Sequence, residues 1–302
     1  MSGLQVDTIN HISIEVSDLK RSEDFYHHLL GFEPLGRDLW PDSGPSVSFR
    51  TVQGQSLILS ENPSLGSLPE TGAHQAYTTA RSNRDAIAKK LKQRGIGIHT
   101  YREDRPQEAG DNFYFCDPDG NRIQLVVSNR QSAGEGNVQG IDHAAVEVVD
   151  LEWAEDFYIN ILGLPVDHRV GWSSADYARA KRWGEGKEDM APGTRRWDQL
   201  YTENRRRVPR ANSQLFIQFG NAVLGLFLAT KHRQEPPEEQ AVGSPRFAFR
   251  TSRRVLDEVV RLLDEHRKPF QGPVDHPASA PIESSLYFKD PGGNFLELVV
   301  PR

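Results

Sequence analysis

The sequence predicts an α+β protein made of two homologous modules. Three observations predict it. Residues 9–31 (INHISIEVSDLKRSEDFYHHLLG) align without gaps on residues 141–163 (IDHAAVEVVDLEWAEDFYINILG), at a constant offset of 132. A second pair, FYFCDPDGNRIQLVV at 113–127 and LYFKDPGGNFLELVV at 286–300, repeats at an offset of 173. Between these anchors, short alternating runs rich in β-branched residues are interspersed with stretches whose apolar residues recur at helical spacing.

Each element follows from local chemistry. Residues 9–16 and 141–149 alternate in polarity and read as strands. Asp18 and Asp150 stand before a helical apolar pattern (Phe25, Leu29; Phe157, Ile161), where a carboxylate caps a first turn, and Gly31 and Gly163 stop those helices. SVSFRTV, QSLILSE, SQLFIQF and AVLGLFLA read as paired strands, and SNRDAIAKKLKQRG and SRRVLDEVVRLLDEHR as amphipathic helices. The two Asp-Pro-x-Gly-Asn tracts are turns that feed the last strand of each module. The expected organisation is a first module over 1–130, a linker over 131–140 and a second module over 141–302. The second copy is 41 residues longer, mainly within 165–213. Loops of that length are functional lids or disordered, and Trp172, Trp183 and Trp197 argue for an ordered lid.

Bulk properties exclude several classes. A net charge of −6 argues against a general nucleic-acid or membrane-surface binder, and the Arg205–Arg206–Arg207 run reads as a solvated loop. Cys116 is the only cysteine, so no intrachain disulfide and no thiolate zinc cluster is available. The start of the chain has no basic, then apolar, leader pattern, and no apolar run approaches a membrane span. A cytoplasmic location and a small-molecule substrate are expected, and a homodimer is compatible with the sequence.

The pattern of a strand carrying His, a Val-x-Asp-Leu…Phe-Tyr helix ending in Leu-Gly, and a later Tyr-Phe-x-Asp-Pro-x-Gly-Asn tract resembles the vicinal oxygen chelate superfamily. That group includes glyoxalase I, extradiol ring-cleaving dioxygenases, fosfomycin resistance enzymes and bleomycin-binding proteins. The resemblance covers both modules and implies tandem paired βαβββ units forming two cup-shaped mixed sheets, with a divalent metal in a cup. It implies ligands on the first strand (His11, His143), on the strand that opens the second unit of each module (His74, Arg246) and on the last strand (Gln124, Glu297).

Grouped by module, the expected metal set is His11, His74 and Gln124, while His143, Arg246 and Glu297 are expected to bind substrate. Neither group is the two-histidine, one-carboxylate set that suits non-haem iron. Arg246 has no lone pair to offer a metal. It either neutralises Glu297 as an ion pair or clamps an anionic substrate. If the cups combine units from different modules, His74 and Gln124 stay together and His143 replaces His11. Tyr287, with Tyr114 as its repeat equivalent, and His276 resemble the acid–base residues of ring-cleaving enzymes. Glu15 and Glu147 share a strand face with the first-strand histidines and would line a cup or face solvent at its rim.

The implied function is a divalent-metal enzyme resembling extradiol dioxygenases, acting on a small aromatic or vicinal-oxygen substrate, with Fe(II) as the metal. The alternatives are a glyoxalase-like lyase or isomerase using Zn, Mn or Ni, and a metal-free binding or resistance protein that sequesters an aromatic natural product.

Overall fold

The structure, a computed structural model, describes residues 4–40, 44–66, 68, 72–99, 112–128, 138–148, 150–170, 214–228 and 239–302. The three tryptophans of the expected lid lie outside the described residues, as do residues 131–137 of the expected 131–140 linker.

Strands β1 (Val6–Val16), β2 (Glu33–Arg37), β3 (Ser46–Arg50) and β4 (Ser56–Glu61) are followed by β5 (His74–Ala80), β6 (Phe113–Cys116) and β7 (Arg122–Ser128). The repeat supplies β8 (Gly140–Val148), β9 (Val166–Val170), β10 (Gln214–Phe219) and β11 (Ala222–Leu228). It then supplies β12 (Arg246–Thr251), β13 (Phe270–Asp275), β14 (Ile282–Lys289) and β15 (Phe295–Pro301). The helices are α1 (Leu19–Glu23), α2 (Arg81–Gln93), α3 (Leu151–Glu155) and α4 (Arg253–Glu265).

The strands form two mixed sheets, as the α+β reading anticipates. Sheet A has the order β13-β14-β15-β12-β1-β4-β3-β2, and sheet B the order β6-β7-β5-β8-β11-β10-β9. Each sheet therefore draws strands from both halves of the chain. The joins are antiparallel: β1 runs beside β12, and β5 beside β8.

The helices begin as their capping residues dictate. Asp18 accepts from the Arg21 N–H at 2.9 Å, and Asp150 accepts from Glu152 and Trp153 N–H groups at 2.8 and 3.1 Å, each worth about 1 kcal/mol. Both helices then widen into a π-helical turn, Asp24–Leu29 and Asp156–Ile161, in which the Leu30 and Leu162 N–H groups reach back to Phe25 and Phe157 carbonyls. The widened turns place Phe25, Tyr26, Phe157 and Tyr158 in the core. Gly31 and Gly163 leave the helices at φ 83° and 66°, the left-handed region that glycine enters without strain.

Alternation along β1 sends Ile12, Ile14 and Val16 into the main hydrophobic core and turns His11, Ser13 and Glu15 to the opposite face. The backs of the sheets share that core. Phe249 of sheet A stacks on Phe219 of sheet B with centroids 3.9 Å apart, and α4 adds Val255, Leu256, Val259 and Leu263. The front of each sheet is left free to form a cup.

The repeated motifs have a structural task within each half. The Asp-Pro-x-Gly-Asn aspartates receive the helix tyrosines: Tyr26 Oη donates to Asp117 at 3.1 Å, and Tyr158 Oη to Asp290 at 3.0 Å. The turn asparagines donate to strand carbonyls, Asn121 to Glu15 and Asn294 to Glu147, at 3.1 and 2.8 Å. The turn leading to the last strand is thus stapled to the first strand and helix of its own half.

Candidate metal centre

The two cups have one frame. In sheet B, Gln124, Ala76 and His143 stand side by side across β7, β5 and β8. In sheet A, Glu297, Ala248 and His11 form the same row across β15, β12 and β1. His74 and Arg246 lie two residues before the central alanine, facing the same cup. The alanine leaves room for its larger neighbours to lean together over it.

The structure does not bring His11 to His74 and Gln124. Because β5 pairs with β8, the imidazole beside them is His143, and His11 lies in the other sheet. His74 Nε2 is 3.1 Å from Gln124 Oε1 and 3.2 Å from His143 Nε2. The other nitrogen of each ring is engaged. His74 Nδ1 meets the Gly72 carbonyl at 2.8 Å, and His143 Nδ1 meets Asp142 Oδ2 at 2.7 Å. A carbonyl and a carboxylate accept only, so each Nδ1 carries the proton and each Nε2 presents a lone pair.

In this tautomer the two Nε2 lone pairs and the Gln124 amide oxygen gather around His74 Nε2 with no proton to share among them. Their separations are those of neighbouring ligands around one ion with bonds of about 2.0–2.2 Å. Among the described residues, no three His, Cys, Asp or Glu side chains come together. The set reaches three donors only through the Gln124 amide oxygen. His74 is also held neutral, as a ligand must be. Burial and then the neighbouring His143 lower its pKa to about 3, with the Arg122 charge acting in the same direction. The residues fit a divalent cation.

Supporting groups that motif reading missed lie one step out. Glu147 Oε1 accepts from the Gly72 N–H at 2.6 Å, so a buried carboxylate holds the peptide that holds His74. Its position four residues after His143 placed it on the cup face, but only the fold sets Gly72 beside it. Asp142, adjacent to His143, was visible in the sequence and drew no attention there. The His74 ring is bordered by the edges of Tyr114 (5.3 Å) and Phe227 (5.7 Å). The Arg122 guanidinium lies 4.6 Å over Tyr114.

Cup A is closed. Arg246 Nε donates to Glu297 Oε2 at 2.8 Å, and the Ser285 hydroxyl donates to Glu297 Oε1 at 2.6 Å. His276 Nε2 lies 2.8 Å from Ser285 Oγ, and the Arg246 guanidinium sits 5.1 Å over the Tyr287 ring. His11 Nε2 approaches Glu297 Oε2 at 3.2 Å, ion-pair distance without hydrogen-bond alignment. Glu297 is fully buried, which by itself raises its pKa. Arg246, then His11 and the Ser285 hydrogen bond, outweigh burial and lower it to about 2. Trp40 covers His11 with ring centroids 4.3 Å apart and is itself buried. The expected acid–base residues His276 and Tyr287 therefore belong to the cup that holds Arg246. Tyr114 alone borders the His74 side. Glu15 bonds Asn62 at 2.9 Å, away from either histidine cluster.

Comparison with known proteins agrees with this architecture. Residues 8–125 match the model of the Glyoxalase/Bleomycin resistance protein/Dioxygenase superfamily. The chain is 29% identical over 127 residues to glutathione transferase FosA of Serratia marcescens, covering 41% of this chain and 83% of that protein. It is 27% identical over 219 residues to catechol-2,3-dioxygenase of Bacillus subtilis, covering 60% of this chain and 73% of the relative. The solved structure of glyoxalase I from Zea mays superposes with a TM-score of 0.59 at 16% identity, covering 97% of this chain and 92% of that one. The first half of the chain thus carries a module that matches the glyoxalase/bleomycin resistance protein/dioxygenase superfamily, the second half repeats its sequence, and the two sheets fit tandem modules of that kind.

Proposed function

We propose that the chain is a divalent-metal-dependent enzyme whose single centre is formed by His74, His143 and Gln124, acting on a small molecule with two adjacent oxygen atoms. The observation that carries this reading is the convergence of three buried or half-buried acceptor atoms whose partner nitrogens are already engaged. A bound divalent ion would supply Lewis acidity and a template for the two oxygens. His74 and His143 would serve as neutral ligands, oriented by Gly72 with Glu147 and by Asp142. Tyr114 and Phe227 would border a planar substrate, and Arg122 on the strand face of Gln124 would favour negative charge developing there.

The donor set favours redox-neutral chemistry. An amide in place of a carboxylate leaves the full ionic charge to act on substrate oxygens, and the His276–Tyr287 pair is committed to cup A. Ring cleavage with Fe(II) is the second reading, supported by the likeness to catechol-2,3-dioxygenase over 219 residues. Metal analysis of protein purified without chelator, followed by oxygen uptake on a panel of catechols, separates the two. One bound metal without oxygen uptake supports the first reading, and catechol-dependent uptake the second. Absence of stoichiometric metal, or metal retained in full by His74→Ala, overturns both. In that case a metal-free binding role replaces them. Among the described residues no helix is long and apolar enough to cross a membrane.

A further inference from the structure

We propose that cup A is a second small-molecule site, independent of metal, in which Arg246 takes the carboxylate of a small organic acid and Trp40 is the strap that covers it. The lining of the cup is the first observation. Ser48, Ile58, Ser13 and Arg246 form one row across β3, β4, β1 and β12, with Ser46 on the same face of β3. The opposite face of β3 and β4 carries Val47, Phe49, Leu57 and Leu59, all in the main core. A wall meant only for packing would be apolar on both faces, and this one keeps hydroxyls on the cup side.

The second observation is that the polar groups there are buried and unpaired. Among the described residues, Ser46 Oγ, Ser48 Oγ and Trp40 Nε1 are buried without a hydrogen-bond partner. The buried Arg246 spends its Nε on Glu297 at 2.8 Å, and its two terminal nitrogens make no hydrogen bond among the described residues. Buried polar groups are normally paired, because burial without a partner forfeits their hydration.

What these groups lack is an acceptor. Guanidinium and indole N–H groups only donate, and a hydroxyl can donate. That chemistry excludes a cation and selects a ligand rich in acceptor oxygens. A carboxylate matches the paired N–H groups at the free end of the guanidinium. Glu297 already balances the Arg246 charge, so one negative charge suits the cup better than the two of a phosphate ester. Ser46, Ser48 and Trp40 Nε1 take a second oxygen of the acid, while Ile58, Ile282 and Val299 receive its apolar body.

The third observation concerns the cover. Trp40 lies over His11 with ring centroids 4.3 Å apart and packs on Ile58, Ala248, Ile282 and Val299. It belongs to the connection between β2 and β3, where Asp38 takes φ 52° and is tied to β3 through the Ser46 backbone. Its indole makes no hydrogen bond, so lifting it breaks apolar contacts alone, and the body of the acid replaces them.

The test is calorimetric titration of the full chain with acetate, benzoate and 4-hydroxybenzoate, on the parent and on His74→Ala. The expected result is saturable binding of one 4-hydroxybenzoate that His74→Ala leaves in place, accompanied by a change in tryptophan emission that Trp40→Phe loses. Ser46→Ala combined with Ser48→Ala should weaken it about tenfold without lowering the urea midpoint, since the hydroxyls removed are unpaired. Arg246→Lys keeps the charge and loses the fork, and should weaken it at least as much. Should Arg246→Lys not fold, the serine variant decides. No saturable binding by any of the three acids overturns the proposal. So does binding abolished by His74→Ala, binding unchanged in the serine variant, or tighter binding of inorganic phosphate. The cup B centre is judged by metal content, so either reading can fail alone.

Discussion

Replacing Glu297 by glutamine removes one negative charge from the centre of cup A while keeping shape and some hydrogen bonding. Arg246 is then left buried beside a neutral amide, with 4% of its surface exposed. Breaking a buried ion pair by removing one partner costs about 3–5 kcal/mol. The carboxylate's own titration supports the same size. Its pKa falls from 4.5 to about 2 on folding, and at about 1.4 kcal/mol per unit this is about 3 kcal/mol of stability at neutral pH. The sign is that of a depressed acid: the contribution is complete above pH 4.5 and is lost as pH falls toward 2. By pH 3 about 2 kcal/mol of it has gone. Urea unfolding of parent and Glu297→Gln at pH 7, 4 and 3 checks this directly. The variant should be about 3 kcal/mol less stable at pH 7, and the gap should narrow with each step into acid. A variant within about 1 kcal/mol of the parent at pH 7, or a gap independent of pH, would refute the electrostatic account of cup A.

Three further outcomes follow from the geometry. Gln124→Glu adds a charge among the three donors of cup B and should tighten divalent-metal binding at least about tenfold, about 1.4 kcal/mol. Calorimetric titration with Zn(II) or Mn(II) measures it, and unchanged affinity would place the ion elsewhere. His74 is a base whose folded pKa is lowered from 6.5 to about 3, so the folded state resists a proton that the unfolded chain accepts. Metal-free protein should lose stability as pH falls below 6.5, by up to about 5 kcal/mol at pH 3. His74→Gln should flatten the part of that loss seen between pH 6.5 and 5 in thermal melts. Tyr26→Phe removes a buried donor from Asp117, which keeps the Asn121 and Asp119 N–H groups. The cost should be about 1 kcal/mol in urea unfolding, with Tyr158→Phe at Asp290 behaving alike.

Much of the fold was legible because the chain says everything twice. The repeated His, Asp-Leu, Phe-Tyr and Asp-Pro-x-Gly-Asn tracts mark strand, cap, helix and turn. The aspartate–tyrosine staple explains why they recur together. His74 with Gln124 was legible for a physical reason: they sit on β5 and β7, neighbours in one short unit, so no choice of partner could part them. The first-strand histidine was not legible in the same way. Whether β5 pairs with β1 or β8 is decided by long-range packing between units of near-identical pattern, and alternation is the same either way. Glu147 escaped for a related reason, since its role depends on Gly72, 75 residues away in sequence. The widened helical turns at Asp24 and Asp156 carry no pattern distinct from an ordinary helix, because the extra residue per turn is resolved only by which carbonyl each N–H finds.

The exchange of units between the sheets means that the two halves are woven rather than joined. Both clusters take one side chain from one half and two from the other: His143 from the second with His74 and Gln124 from the first, and His11 from the first with Arg246 and Glu297 from the second. A motion that parted the halves would have to unzip β1 from β12 and β5 from β8, two central ladders rather than a hinge. It also follows that a change in the first-strand histidine of one half is felt in the cup filled mainly by the other.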